Sequence, residues 1–316
     1  MPPAFRYPAY RAYWLGTLAS VGGFQVLTFG QIWLTYELTG SYVKLGFVAS
    51  ANAIPSIALN LFGGVFADRL DKRKLIIVTQ LVTASLIFLL GTLTLTGRIE
   101  VWHILAIALV SGATNAFDQP ARQALYPHLI DRTVMVSAVA LNSAIWQGTR
   151  IVAPTVAGVI IGAIDTAAAF YLAGSGFVVM AMVMFWLHIP KIERGSRGNA
   201  FQDMFDGLKF IGGNSVFWFL IGMTFFNSFF GMAYIMMMPV FTVDILKVGA
   251  EDQGLLMSVG GIGALGVTIV LGTKASFVRR GYLIIGGAVV FGLSVAAFAL
   301  TAKYFHNYGL TMVFMR

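Results

Sequence analysis

The sequence predicts an all-α integral membrane protein. Of its 316 residues, 58% are hydrophobic and 11% are charged, whereas soluble domains contain about 45–50% apolar and about 25% charged residues. The charged residues also cluster in short segments that separate long uncharged runs. Because about 20 apolar residues suffice to cross the hydrocarbon core of a bilayer as a helix, these runs indicate membrane-spanning helices joined by short turns.

The positions of the charges predict nine complete spans and the start of a tenth at about Tyr308. Between the sixth and seventh spans, Phe201, Met204, Phe205 and Leu208 recur at helical spacing, which favours an amphipathic helix on the membrane surface. We therefore expect a six-helix N-terminal half over 1–189, a cytoplasmic linker over 190–214 and an incomplete C-terminal half over 215–316. The predicted spans are 12–36, 45–67, 75–97, 101–121, 134–164, 166–189, 215–243, 253–273 and 281–302.

The basic residues predict the orientation of the chain. Most of them lie in the segments on the same side as the N-terminus, and cytoplasmic loops carry such an excess. The sequence therefore predicts a multi-pass protein of the inner or plasma membrane with a cytoplasmic N-terminus. The residues on that side are Arg6, Arg11, Arg69, Lys72, Arg73, Lys74, Arg122, Arg132, Lys191, Arg194, Arg197, Lys209, Lys274, Arg279 and Arg280, against Lys44, Arg98, Lys247 and Lys303 on the other.

Composition and spacing argue against several classes of function. The net charge is +8, but the basic residues lie in turns and not on one face, so we expect no nucleic-acid partner. The chain has no Cys, and its four His lie in four different turns or ends, so we expect no disulfide framework and no metal centre. A phosphate-binding P-loop pattern is also missing from the sequence, which leaves ATP-driven pumping by this chain unsupported. We expect no cofactor.

The most charged segment of the chain is Gly64–Lys74, between the second and third predicted spans. Six of the seven residues from Asp68 to Lys74 are charged, and an uncharged run of 23 residues lies on either side. Glycine at position 64 permits the close approach of a neighbouring helix. The carboxylate of Asp68 is placed to accept charge-assisted hydrogen bonds from nearby basic side chains. A simpler interpretation, in which the basic residues only fix the topology, stays open.

The fourth predicted span carries a polar face near its cytoplasmic end. Ser111, Asn115, Asp118 and Arg122 are spaced so that they lie on one side of a helix. An acid and a base at this depth lie close to the charged turn after the second span. We therefore expect Asp118 and Arg122 to join one charge network with Asp68, Arg69 and Lys72.

Arg150 is the only charge in the 31-residue run 134–164. A charge near the bilayer centre costs about 2.5–3.5 kcal/mol on insertion scales, so it must face a partner or a hydrated cavity. Ser143, Gln147 and Pro154 share its side of the helix. Two interpretations are open: this face lines a substrate path, or Arg150 binds backbone carbonyls and fixes helix packing beside Pro154.

Other polar residues in the predicted spans are candidates for the same path. Gln25, Asn52, Asn227 and Tyr234 belong to this group, although the aromatic residues around the last two also fit helix packing or lipid contact. A proton carrier is expected to be a carboxylate or His in the membrane interior. Glu37, near the outer end of the first span, and Asp118, near the inner edge of the fourth, are the candidates, and neither lies clearly at mid-depth.

Gly64–Lys74 resembles the signature of the major facilitator superfamily, which runs Gly-x-Leu-Ala-Asp-Arg-x-Gly-Arg-Lys. Asp71 stands where the signature has its second glycine. Three further segments are similar to the branch that contains macrolide efflux proteins and enterobactin exporters. The matching signature residues are Gly64, Asp68, Arg69, Lys72 and Arg73, and the further segments are 37–41, 116–125 and 142–158.

This resemblance implies a major facilitator-like helical bundle, which usually has twelve spans. The chain is then expected to be truncated at its C-terminus, about two and a half spans short. In the family, the residues that correspond to the charged turn are thought to latch the two halves closed on the cytoplasmic side. The resemblance implies that Gly64, Asp68, Arg69, Lys72, Arg73, Asp118 and Arg122 form such a gate here.

The leading functional hypothesis is a secondary active transporter, most simply a proton-coupled exporter of a small drug-like or siderophore-like molecule. Such a protein works by alternating access and is expected to be a monomer with the lipid bilayer and a small-molecule substrate as its partners. A lipid flippase on the same fold is the alternative. A membrane-embedded transferase is less favoured, because the sequence shows no convergent acid–base or metal set, and we expect the chain not to be an enzyme.

Overall fold

The computed structural model describes residues 2–187, 209–231, 233–259, 286, 289–290, 292–294 and 296–297. Within these residues every regular element is helical and none is a strand. The all-α prediction is therefore confirmed. The predicted amphipathic helix at 201–208 lies outside the described residues. Of the spans predicted at 253–273 and 281–302, the structure describes only 253–259 and a few residues between 286 and 297.

Six long helices lie in the range that was predicted as the N-terminal half, and their bounds follow the predicted spans closely. Five segments are long and apolar enough to cross a membrane: Tyr42–Asn60, Lys72–Leu95, Val101–Leu129, Arg132–Ala163 and Thr166–Trp186. A short 3-10 turn, Pro3–Arg6, precedes the first helix. The helices are α1 (Pro8–Thr39), α2 (Tyr42–Arg69), α3 (Lys72–Leu95), α4 (Val101–Leu125), α5 (Met135–Ala163) and α6 (Thr166–Trp186).

Helix α1 covers 32 residues, which is long enough to span the membrane, and it includes the polar residues Gln25 and Gln31. It packs against α6, α5, α2 and α4, and half of its 32 residues are buried. The hydroxyls of Thr28 and Thr35 donate to carbonyls one turn earlier in the same helix, which satisfies them inside the bundle. A helix enclosed by other helices needs fewer lipid-facing apolar residues, which explains its composition.

The range predicted as the seventh span is helical in its described residues, and the type of helix changes near its end. Helix α7 (Ser215–Gly231) is followed by a short helix, Ala233–Met236, and by a π-helix, Val240–Ile245. Pro239 stands at the N-terminal cap of the π-helix, where its missing N–H removes a hydrogen bond from a continuous α-helix. The span predicted over 215–243 is thus helical in its described residues, with a π-helical end in place of a regular α-helical one. The next helical segment covers 250–259.

Side-chain caps close the tight turns between the helices. The Asp71 carboxylate accepts a hydrogen bond from the Lys74 amide at 3.2 Å at the start of α3. At the start of α6, the Asp165 carboxylate accepts from the Ala168 amide at 2.6 Å. Capping of the free N–H groups at a helix start stabilises it by about 0.5–2 kcal/mol. The acidic residues in these predicted turns therefore also cap the helices that follow.

Helices α2 and α4 make a close contact that depends on glycine. A Cβ added at Gly63 would lie 1.9 Å from the Ala116 carbonyl oxygen, and one at Gly112 would lie 2.1 Å from the Asn52 carbonyl oxygen. Such small residues let two membrane helices approach until their backbones touch. At Gly64, no described atom lies within 4 Å of an added Cβ. The close approach expected at Gly64 is therefore made by its neighbour, Gly63, toward α4.

The residues at the start of the chain hold the N-terminal ends of α1 and α5 together. Tyr10 Oη donates to the Ala138 carbonyl at 3.0 Å, and Trp14 Nε1 donates to the Leu141 carbonyl at 3.2 Å. Tyr7 Oη donates to Asp131 Oδ2 at 2.5 Å, and this hydrogen bond raises the pKa of the Tyr7 phenol. These contacts fix the start of α5 against α1.

The glycine contact predicts a position-specific loss of stability. Gly63→Ala is expected to push α2 away from α4 and to cost about 1–3 kcal/mol, which is typical of overpacking. Thermal unfolding of the purified protein in detergent gives the comparison. The control is Gly46→Ala on the same helix, where an added Cβ meets no described atom within 4 Å. Equal melting temperatures for the two variants would contradict the close contact.

Candidate functional site

A buried ion pair lies inside the N-terminal half. Asp118 and Arg122 are one helical turn apart on α4, and Arg122 Nε donates to Asp118 Oδ2 at 2.6 Å. Each of the two residues is only 7% exposed. Their spacing places both side chains on the same face of the helix. A charge-assisted hydrogen bond of this length is among the stronger ones in proteins.

Uncharged side chains from α1 and α3 complete the network around this pair. Asp118 Oδ1 accepts hydrogen bonds from Thr79 Oγ1 at 2.8 Å and from Gln80 Nε2 at 3.0 Å. Arg122 Nη2 donates to Ser20 Oγ at 2.8 Å. A buried ion pair is tolerated only when its remaining donors and acceptors are bonded. The pair therefore links α4 to both α1 and α3 without bringing a further charge into the interior.

Some polar atoms of the network have no hydrogen-bond partner among the described residues. These atoms are Arg122 Nη1, Gln80 Oε1 and Ser111 Oγ, and all three are buried. Two of them belong to side chains that bind Asp118 directly. Buried groups without a partner are costly, so the network holds an unused donor and an unused acceptor close to a titratable carboxylate.

The charged turn between α2 and α3 is partly described. Arg73 Nε donates to the Met184 carbonyl at 2.7 Å, and Arg73 Nη2 donates to the Phe185 carbonyl. These carbonyls belong to the last turn of α6, where a cation also complements the helix dipole. Arg73 thus binds within the N-terminal half. Lys72 begins α3, and the side chains of Asp68 and Arg69 lie outside the described residues, so their network stays a prediction.

Helix α5 presents a polar side at the level of Arg150. Arg150 and Ser143 are exposed, Gln147 is half-buried and Pro154 is buried. Because an α-helix has about 3.6 residues per turn, a residue two positions from Arg150 lies on nearly the opposite side of the helix. On that other side, Gly148 and Val152 face an apolar groove. The two sides of α5 therefore differ sharply in polarity.

The remaining candidates from the sequence take different positions. Gln25 is half-buried on α1, and Glu37 is exposed at its end. Asn52 Nδ2 donates to the Ala108 carbonyl of α4 at 3.3 Å, so Asn52 takes part in the packing of α2 against α4. The side chains of Asn227 and Tyr234 lie outside the described residues.

Sequence reasoning missed a contact between the two halves. Tyr36 Oη, near the end of α1, donates to Asp244 Oδ2 in the π-helix. On α5, Thr155 Oγ1 and Ser258 Oγ of the segment 250–259 lie 2.6 Å apart. Both contacts lie toward the ends that the basic residues predict to be outside. Tyr36 and Asp244 are 208 positions apart in the sequence, so no local pattern could have predicted the pair.

The described residues were also considered as a metal or acid–base centre. Among them, no group of three His, Asp or Glu side chains lies close enough together to hold a metal ion. The acidic groups that do meet a partner are Asp118 with Arg122 inside α4, Asp244 with Tyr36 and Asp131 with Tyr7. The described geometry is that of a helix-linking network.

The family of the chain follows from its full-length match. Residues 2–315 match the family described as transmembrane secretion effector, within the major facilitator superfamily. The chain belongs to this family. The match confirms the predicted resemblance to the major facilitator superfamily, and the chain is a multi-pass transporter. The gating residues stay a prediction.

Known transporters resemble this major facilitator chain over most of its length. The staphyloferrin A transporter of Staphylococcus aureus is 28% identical over 289 residues, which cover 88% of this chain and 70% of that protein. Macrolide efflux protein A of Streptococcus pyogenes is 21% identical over 285 residues, covering 89% and 70%. The predicted similarity to macrolide efflux proteins is thus confirmed.

A solved structure shows the same fold. A bacterial homologue of the human lysosomal transporter Spinster, in an inward-facing and unoccupied conformation, superimposes with a TM-score of 0.74. The two sequences are 15% identical, and the alignment covers 100% of this chain and 73% of that one. The likeness establishes the major facilitator fold for the helices described above.

The buried ion pair predicts non-additive effects on stability. Asp118→Asn leaves the Arg122 charge buried without its partner and is expected to cost about 3–5 kcal/mol. The double variant Asp118→Asn/Arg122→Gln is expected to cost less than the sum of the single changes, because contacting residues are coupled. Melting temperatures in detergent provide the measurement. Asp71→Asn is the control, since Asn also caps a helix, and additive losses would rule out the coupling.

Proposed function

We propose that this major facilitator transporter is a proton-coupled exporter of a small organic molecule. It lies in the inner or plasma membrane with a cytoplasmic N-terminus and acts as a monomer without a cofactor. The observation that carries the proposal is the buried Asp118–Arg122 pair, which joins three helices of one half through a titratable carboxylate. The efflux protein among its relatives supports the direction of transport.

A proton on Asp118 changes the bonds that hold the helices. The neutral acid loses its ionic attraction to Arg122, and it gains an O–H donor. Gln80 presents an amide oxygen without a partner among the described residues, and rotation of this amide brings that oxygen toward the new donor. Protonation thus exchanges one set of contacts among α1, α3 and α4 for another. A proton couples to transport when it binds two conformations with different affinity.

The substrate path lies beside the polar side of α5. Arg150 supplies a positive charge that attracts an anionic or strongly polar molecule, and Gln147 on the same side adds a hydrogen-bonding amide. Gln25 on α1 extends this path, together with Asn227 and Tyr234 of the second half. Asn52, which is bonded to α4, contributes to the path through the position of α2.

Alternating access requires contacts at the outer and inner ends that form in turn. The Tyr36–Asp244 and Thr155–Ser258 contacts join the halves near their outer ends. On the cytoplasmic side, we assign the gate to Gly64, Asp68, Arg69 and Lys72. Arg73 holds this turn to α6, so the gate residues move as a unit with the N-terminal half.

Transport in everted membrane vesicles tests the proton coupling. Vesicles that contain the full chain are expected to accumulate a labelled macrolide or staphyloferrin A when a proton gradient is present, and a protonophore abolishes this uptake. Asp118→Asn is expected to lose gradient-driven uptake while it still exchanges labelled for unlabelled substrate.

The matched control for this experiment is Glu37→Gln. It removes the other candidate carboxylate, which is exposed at the end of α1, and it is expected to keep gradient-driven uptake. Loss of gradient-driven uptake in Glu37→Gln but not in Asp118→Asn would assign proton coupling to Glu37. Uptake that a protonophore leaves unchanged would overturn the proposal of proton coupling. If the vesicles move labelled phospholipid but neither the macrolide nor staphyloferrin A, the protein is a flippase.

Arg150 is tested by charge-conserving and charge-removing changes. Arg150→Lys is expected to retain part of the transport, because the charge remains while the planar fork is lost. Arg150→Ala is expected to reduce transport of an anionic substrate by about tenfold more than that of a neutral one. Parallel loss of protein abundance and of both activities would instead indicate a packing role.

Labelling of single cysteines separates the two sides of α5. The natural chain contains no Cys, so Arg150→Cys and Val152→Cys each provide one thiol. A membrane-impermeant thiol reagent is expected to label position 150 and to be slowed by bound substrate. Position 152, which faces the apolar groove, is expected to stay unlabelled because the reagent does not enter lipid. Equal labelling at both positions would exclude a path restricted to the Arg150 side.

A further inference from the structure

An apolar groove runs between α1, α5 and α6, on the side of α5 that faces away from Arg150. Its volume is about 650 Å³, within the range of about 300–1,000 Å³ that is typical of small-molecule sites. Val152 and Val179, on two of its walls, are exposed. The groove therefore opens at the surface of the described helices, where a transmembrane bundle meets lipid.

The walls of the groove offer no unsatisfied hydroxyl to a ligand. Thr149 Oγ1 donates to the Ile145 carbonyl at 2.8 Å, and Ser175 Oγ donates to the Leu172 carbonyl at 2.6 Å. Both hydroxyls are thus bonded within their own helices, as is usual in membrane spans. A molecule that fills this groove is recognised by apolar contact and by shape.

Two glycines, which have no side chain, give the groove its width. A Cβ added at Gly148 would meet no described atom within 4 Å, and one at Gly22 would meet only the Thr149 methyl group, at 3.9 Å. These glycines differ from Gly63, where an added Cβ meets backbone. Gly22 and Gly148 therefore leave open space between α1 and α5, and they do not bring the two helices into contact.

The groove has the length of one bilayer leaflet. On α1, its wall extends from Trp14 to Val26, which at about 1.5 Å per residue is roughly 18 Å. Half of a hydrocarbon core of about 30 Å is about 15 Å. Trp14 lies at the cytoplasmic end of this wall, at the depth where Trp residues favour the interface. The groove thus matches an acyl chain that enters from the cytoplasmic surface.

A positive charge stands at the cytoplasmic end of the groove. Arg11 is exposed, and with Trp14, Leu18 and Gly22 it forms a stripe at spacings of three and four residues along α1. Such spacings place all four residues on one side of the helix. The guanidinium therefore lies on the line of the groove, where a lipid headgroup lies, and it complements a phosphate.

We propose that this groove binds one acyl chain of an anionic phospholipid, with the headgroup phosphate on Arg11. The assignment to the cytoplasmic leaflet rests on the proposed orientation, whereas the acyl-chain site itself does not. The bound chain fills the space between α5 and its neighbours α1 and α6, on the side that carries no polar residue for a substrate. The lipid is then a structural ligand of the N-terminal half and separate from the transport path.

Native mass spectrometry of the purified full chain tests this site. Phosphatidylglycerol and phosphatidylcholine with identical acyl chains are titrated separately, and the apparent Kd of each is measured. Gly148→Leu, which fills the groove, is expected to weaken phosphatidylglycerol binding at least tenfold. Arg11→Gln is expected to weaken it about fivefold, as for the loss of one basic contact with an anionic lipid, and to leave phosphatidylcholine binding unchanged.

Matched controls separate the groove from general effects. Gly46→Leu adds the same side chain where an added Cβ meets no described atom within 4 Å, and Arg132→Gln removes an exposed charge on the same side of the membrane. Both are expected to bind phosphatidylglycerol as the parent does. If Gly148→Leu unfolds, Val152→Trp fills the same groove from an exposed position and is expected to show the same tenfold loss.

Three outcomes would overturn the proposal. Parent-like phosphatidylglycerol binding by a folded Gly148→Leu or Val152→Trp variant would exclude the groove. Displacement of the lipid by a macrolide would make the groove a substrate site. A shift from dimer to monomer on filling the groove would assign it to a second copy of the chain. Because lipid binding is measured without transport, these outcomes are independent of any failure of the proton-coupling experiment.

Discussion

The ion pair between Asp118 and Arg122 sets the arrangement of the N-terminal half. Two charges in a membrane helix are costly, and pairing them and bonding most of their other donors and acceptors reduces that cost. Asp118 draws its further bonds from Thr79 and Gln80 of α3, and Arg122 draws one from Ser20 of α1. These requirements fix the rotation of three helices about their axes. The close glycine contact of α4 with α2 then fixes the fourth.

The helices of the first half were predictable because charges interrupt the chain where the helices end. The predicted third span, 75–97, became Lys72–Leu95, which begins earlier because Asp71 caps the helix and draws its basic residues into the first turn. The second half was less predictable. The run 215–243 carries no charge, so nothing in its hydropathy marked the π-helix that follows Pro239. Apolar composition gives the length of a span but not its type of helix.

The ionic part of the candidate site was visible in the sequence, whereas its neutral partners were not. Asp118 and Arg122 stand out because charges are rare in a span and their spacing places them on one face. Gln80 and Ser20 are common residues in apolar runs, and only the packing of α1 and α3 against α4 brings them to the pair. Asp68 was assigned to the gate from its position in the charged turn between α2 and α3. Its side chain lies outside the described residues, so that part of the gate stays a prediction. The hydrogen bond from Asn52 to α4 favours a role in helix packing, whereas the sequence alone made Asn52 a candidate for the substrate path.

In the proposed function, helix α5 lies between the substrate path and the lipid, because its two sides differ in polarity. Arg150 and Gln147 need water or a polar partner, and Gly148 and Val152 need apolar contact. A helix is stiff along its length, so a change in what fills one side displaces the other. The start of α5 is held to α1 by Tyr10 and Trp14, and its outer part is held to the second half by Thr155. Between these two attachments, Gly22 and Gly148 leave open space beside α5, although α1 and α5 pack against each other elsewhere along their length. In the proposed lipid site, an acyl chain fills this space on the side of α5 opposite Arg150.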